Sequence, residues 1–217
     1  EETKEKLKEI HSYWTGRTHQ DEMEATMSEL NILAAEQKVI HRGGISMSAH
    51  GHMIPNYHKI MRIGYKGFLQ EIEDAKSKLV DEDSEKEKKL AFYEGAKLSL
   101  EAVIKFSHRY SKLAQNMANK EDNPMKRARL EKISKVCKTV PENPPKNLHE
   151  AIQTAYFTHL ILHIETNGHS FSFGRFDQYI YPFYKKDIEA GNITRDDAIE
   201  LMGLFFVKLN SLNNYFL

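Results

Sequence analysis

The sequence has 217 residues, 40% of them hydrophobic and 29% charged, so it can bury a core and is too apolar to be disordered. Lys plus Arg equals Asp plus Glu at 31 each, which gives no electrostatic case for nucleic acid or an anionic membrane surface. A single cysteine, Cys137, excludes an internal disulfide framework, and no run reaches the ~20 apolar residues of a membrane span, so a cytoplasmic protein is expected.

Glu1 to Ile10 reads as helix without a starting signal. Arg42 to His52 is rich in glycine and small polar residues and predicts a loop over about 42–56. From Tyr57 to Val80, Ile60, Gly64, Phe68, Ile72, Ala75 and Leu79 recur at helical spacing. The charge run from Asp81 to Lys89 breaks that stripe and reads as a solvated turn. Leu90, Tyr93, Leu100, Ile104, Leu113 and Met117 form a second stripe, ending near Ala118. Asn123-Pro124 starts a third helix that runs to about Lys138.

Pro141, Pro144 and Pro145 make an extended connector. Asn147, with Glu150 three residues on, predicts a capped helix to about Ile164. A second loop follows over about 166–175, where Phe171 and Phe173 alternate as a short strand would. Gly191 marks a helix end, and Thr194 with Asp197 starts a helix whose face is Leu201, Leu204, Phe205, Leu209 and Leu212. The predicted fold is mainly α with a few short strands, its helical layers spanning about 57–138 and 147–213. Neither end carries a terminating signal, so a chain cut at both ends is expected.

Eleven histidines invite a search for chemistry. His149-Glu150 fails as a zincin motif because Gln153 stands where the second histidine belongs. His159 and His163 share a helix face at i, i+4, but no third ligand is evident, and a hydrogen-bonded core histidine is the plainer reading. His50-Gly51-His52 fits a metal pair, an acid/base group or a hydrogen-bonded loop. Asn167-Gly168-His169-Ser170 fits either a holder of a small hydroxylated or carboxylated substrate or a self-bonded turn. Arg175 and Asp177 are placed to form a buried ion pair at the start of the next helix, and Cys137 reads as a small core hydrophobe. No P-loop, G-x-G-x-x-G or G-x-S-x-G occurs.

Several of these segments together resemble the glycyl radical enzymes of the pyruvate formate-lyase family, in the branch of the B12-independent glycerol and diol dehydratases. Tyr13-Trp14-Thr15-Gly16-Arg17-Thr18 is similar to that family's Y-W-x-G-[KR]-T stretch. Gly51-His52-Met53-Ile54-Pro55-Asn56-Tyr57 is similar to its G-H-x-x-x-[DN]-Y segment, with Asn56 where many members carry Asp. The connector Val140 to Pro145 leads into His149-Glu150-Ala151 as in the family. The longest run is Ile164-Glu165-Thr166-Asn167-Gly168-His169-Ser170, continuing through Gly174-Arg175-Phe176-Asp177 to Tyr184.

The resemblance implies that His52, His169 and Ser170 line a cavity for a small polar substrate, a diol or carboxylate, with both imidazoles available to handle protons. It implies chemistry in which a protein glycyl radical oxidises a cysteine to a thiyl, which abstracts a substrate hydrogen. The radical is installed by a radical-SAM activating enzyme, and no cofactor is bound. The family's G-C-x-E and R-V-x-G-[YF] loops do not occur in this sequence, so no radical-bearing residue is assigned within it. By resemblance the chain is an early segment of a homodimeric enzyme built on a ten-stranded α/β barrel, contributing to C–O or C–C cleavage. The alternative is a non-catalytic helical binding or scaffold module. If the resemblance holds, the rings of His52 and His169, 117 residues apart, lie within about 10 Å of each other on one exposed polar wall.

Overall fold

The computed structural model describes residues 2–40, 52–81, 83–166 and 170–212. Among them all regular structure is helical: α1 (Glu2–Trp14), α2 (His19–Ala25), α3 (Glu29–Glu36), α4 (Tyr57–Ser77), α5 (Lys86–Ala118), α6 (Pro124–Thr139), α7 (Leu148–Thr166), α8 (Phe176–Glu189) and α9 (Arg195–Asn210). The short strand expected around Phe171 and Phe173 does not form. Ser170 (φ +58°) and Gly174 (φ +60°) turn the backbone into the left-handed region on either side, leaving only three residues to extend. One backbone bond, from the Ser172 N–H to the Met53 carbonyl, is no ladder.

The chain divides into two compact units, Glu1–Met53 with Leu162–Ser172, and Ile54–Ile161 with Phe173–Leu217. In the first, the Tyr13 to Thr18 stretch is a helix–turn–helix junction. Gly16 takes φ +75° just past α1, the Arg17 guanidinium lies 4.6 Å from the Tyr13 ring centre, and Thr18 caps α2 by a reciprocal bond with Asp21. Ser28 caps α3. Both caps are readable as Thr-x-x-Asp and Ser-x-x-Asn, signals the periodicity of the sequence overshadows. Helices α1 to α3 bury no residue.

The second unit holds the core. Tyr57, Ile60, Met61 and Tyr65 from α4 pack with Val103 of α5, Leu148, Ala151, Ile152 and Ala155 of α7, Tyr179 and Ile180 of α8, and Ala198 and Phe205 of α9. The stripe expected along α4 is interrupted at Gly64, whose φ of +62° breaks the helical path. The N–H groups released there, on Tyr65 and Lys66, donate to the carbonyls of Pro141 and Glu142 at 2.9 Å each. A Cβ on Gly64 would stand 2.6 Å from the Glu142 carbonyl oxygen, so the proline connector needs glycine opposite it.

Helix α7 is buried on nearly all sides between Leu148 and Leu160, a wider burial than one apolar stripe implies. Asn147 Oδ1 accepts from the Glu150 N–H at 2.9 Å, as the capping pattern predicts. The Glu150 carboxylate, however, reaches one residue further back and accepts from the Lys146 N–H at 2.7 Å. Asp187 of α8 supplies a further acceptor, taking the Leu148 N–H at 2.8 Å while Asn192 donates to its other oxygen at 3.1 Å. Thr194 and Asp197 form the expected capping box of α9, and Gly191 follows α8 with φ +68°.

Candidate functional site

Two segments carry the residues singled out by sequence. In residues 52–56, His52 is exposed and sits at φ +55°; in residues 170–175, Ser170 is exposed and sits at φ +58°. A non-glycine residue in the left-handed region costs of order 1 kcal/mol or more and concentrates at functional sites. His169, Asn167, Gly168 and His50 lie outside the described residues, and with His169 the expected His52–His169 separation. What the structure does bring together is the backbone beside the two described residues. The Ser172 N–H donates to the Met53 carbonyl at 3.2 Å, one residue from His52 and two from Ser170.

Asn56 and Tyr57, which close the first segment, are architectural. Asn56 Oδ1 accepts from the Lys59 N–H at 3.0 Å and caps α4, a task Asp performs equally well. Tyr57 is 1% exposed, and its hydroxyl lies 3.1 Å from His159 Nδ1. The Tyr57 ring stacks on Phe173 and Tyr179 at 5.7 and 5.2 Å, and His159 stacks on Phe173 at 3.9 Å. The Tyr179 hydroxyl donates to the Phe173 carbonyl at 3.0 Å. Gly174 completes the packing: a Cβ there would stand 2.7 Å from Ile54 Cγ2. Burial first, with the neighbouring Tyr57 phenol adding to the cost of ionising, pushes Tyr179 well above the ordinary tyrosine range; Tyr57 rises for the same first reason, with Tyr65 contributing. Both stay protonated. This aromatic floor was not legible in the sequence beyond the expectation that His159 is a hydrogen-bonded core histidine, which the Tyr57 contact meets.

The other singled-out residues resolve as follows. His163 stands 6.1 Å from the Phe171 ring, and burial lowers its proton affinity. Among the described residues no three His, Cys, Asp or Glu side chains are grouped to hold a metal ion. Arg175 and Asp177 do pair, at 3.4 Å, but on the surface rather than buried, their side chains 75% and 64% exposed; helix α8 begins there with both charges facing solvent. Cys137 is 3% exposed on α6, and burial pushes its thiol up to about 11, so it is a poor nucleophile at neutral pH. No helix of the described residues is long and apolar enough to cross a membrane.

Comparison with known proteins gives a consistent set of relatives. The family profile described as pyruvate formate lyase-like matches residues 1–216. A (2S)-3-sulfopropanediol dehydratase of Klebsiella oxytoca is 32% identical over 213 residues, covering 97% of this chain and 26% of that protein. A trans-4-hydroxy-L-proline dehydratase of Clostridioides difficile is 31% identical over 94% of this chain and 26% of its own length. The glycerol-bound B12-independent glycerol dehydratase from Clostridium butyricum superposes with a TM-score of 0.86 at 36% identity, over 97% of this chain and 26% of that one. The chain thus spans about a quarter of the length of these relatives.

Proposed function

The chain belongs to the pyruvate formate lyase-like family, and on that premise we propose that it is a segment of a glycyl radical enzyme that supplies part of the substrate cavity. In this reading His52, His169 and Ser170 hold a small polar substrate by hydrogen bonds, and the two imidazoles accept or donate a proton as a C–O or C–C bond breaks. The cavity loops are about 42–56 and 166–175, and the helical layers about 57–138 and 147–213 carry them. The glycyl radical and the thiyl-forming cysteine belong to other parts of the polypeptide. Together they would supply hydrogen abstraction from the substrate, with an activating enzyme of the radical-SAM type as partner. The full-length protein would be a cytoplasmic homodimer.

The observation that carries this reading is the Ser172–Met53 hydrogen bond, which joins the segments bearing Ser170 and His52. A scaffold module, the alternative, has no need to tie two glycine- and histidine-bearing segments together at their exposed ends. The relatives' substrates, a sulfopropanediol, a hydroxyproline and glycerol, are all small hydroxylated molecules, which supports a polar hydrogen-bonding pocket.

Titrating the isotope-labelled chain with glycerol tests the proposal. Resonances of His52, His169 and Ser170 should shift together along one binding curve. Shifts at none of the three, or shifts spread evenly over the surface, would favour the scaffold reading.

A further inference from the structure

The proposed cavity residues lie on two segments far apart in sequence, which must be held in register. We propose that Tyr57 is a positioning residue: through its hydroxyl on His159 and its ring on Phe173 it clasps residues 54–57 to residues 173–174, the chain next to His52–Met53 and Ser170–Ser172. The inference rests on the cavity reading above for its functional meaning, though its geometry stands by itself.

Tyr57 is the first residue of α4, so its backbone fixes where the first segment ends. Its side chain is directed at the other segment. Phe173 is held at its ring and at its backbone: His159 at 3.9 Å, Tyr57 at 5.7 Å, and the Tyr179 hydroxyl on its carbonyl at 3.0 Å. The Tyr57 hydroxyl bonds the same imidazole that stacks on Phe173, so one phenol holds both that ring and the imidazole beside it. Gly174 then lets Ile54 approach closer than any side chain would allow. Phe173 is covalently next to Ser172, whose N–H holds Met53, and Met53 is covalently next to His52. The hydroxyl of Tyr57 contributes nothing to apolar burial that phenylalanine would not. Its value lies in holding the imidazole of His159 in one orientation.

Amide hydrogen exchange on the labelled 217-residue chain tests this. Tyr57→Phe keeps the stacked ring and removes only the hydroxyl. The Ser172 amide should then exchange about tenfold faster, while the Tyr65 amide, bonded to Pro141 elsewhere in the unit that holds Tyr57, keeps its protection. His159→Ala should have the same effect, and His159→Asn, whose side chain can meet the Tyr57 hydroxyl where Nδ1 did, should restore protection. Unchanged exchange at Ser172 in Tyr57→Phe, or an equal loss at Tyr65 and Ser172, would overturn the positioning role. The readout involves no ligand, so its failure leaves the glycerol titration to decide the cavity by itself, and a failed titration leaves the clasp standing.

Discussion

At Gly64 a single hydrogen atom in place of a side chain decides how α4 meets the proline connector. Its φ of +62° is uncomfortable for any other residue, and a Cβ would fall 2.6 Å from a backbone oxygen that cannot swing away. Gly64→Ala should therefore lower stability by about 2–4 kcal/mol, the sum of the backbone strain and a steric clash, read from the urea midpoint. Cys137 offers a second test at this scale. With its thiol raised to about 11 by burial, it should resist iodoacetamide at pH 8 in the folded chain and react readily in urea. His149 gives the pH dependence. Burial, with Lys132 adding, lowers its folded affinity for a proton below the ordinary 6.5. The unfolded chain then binds a proton that the folded chain refuses, so this contribution to stability is complete above about pH 6.5 and falls as the pH drops below it. Between pH 7.5 and 5 the urea midpoint of His149→Gln should fall less than that of the parent chain.

At the scale of elements, several helix boundaries were legible from local signals. The Asn123-Pro124 start, the Thr194/Asp197 box and Gly191 all act within four residues, and the structure bears each one out. The interruption of α4 was not legible, because Gly64 sits in phase with the apolar stripe and its reason is a connector more than 70 residues away. The supposed strand misled for a related reason: alternating Phe171 and Phe173 satisfy a period of two, but Phe173 is held by stacked rings rather than by a neighbouring strand. Asp187 belongs to the same class of non-local device, an α8 carboxylate capping α7 across 39 residues. Asp187→Ala leaves the buried Leu148 N–H without its acceptor and should cost about 1–3 kcal/mol. Thr194→Ala, which loses a cap at an exposed helix start, should cost only about 1 kcal/mol. Reversal of that order in denaturation experiments would mean that the α8–α7 link is dispensable.

For the whole molecule, the family resemblance was carried by particular residue strings rather than by apolar periodicity. The stripes report only packing, whereas residues 13–18, 51–57 and 164–184 carry the strings that resemble the family. Much of that order now has a structural reason: Gly16 turns the chain, Thr18 and Asn56 cap helices, and Tyr57 and Phe173 build the floor. His52 and Ser170 are exposed and in left-handed conformations. Exposed non-glycine residues held in that region are where function is expected. The chain by itself, lacking the G-C-x-E and R-V-x-G-[YF] sequences, should form no product from glycerol, 1,2-propanediol or pyruvate with coenzyme A, even anaerobically with an activating enzyme. The central claim is that His52 and His169 share one cavity wall, and a distance tests it most directly. In a Cys137→Ala background, His52→Cys and His169→Cys can be spin-labelled together and singly. The account predicts strong dipolar broadening in the doubly labelled chain, from positions within about 10 Å. A spectrum equal to the sum of the two singly labelled chains, as for sites well beyond about 15 Å, would contradict it.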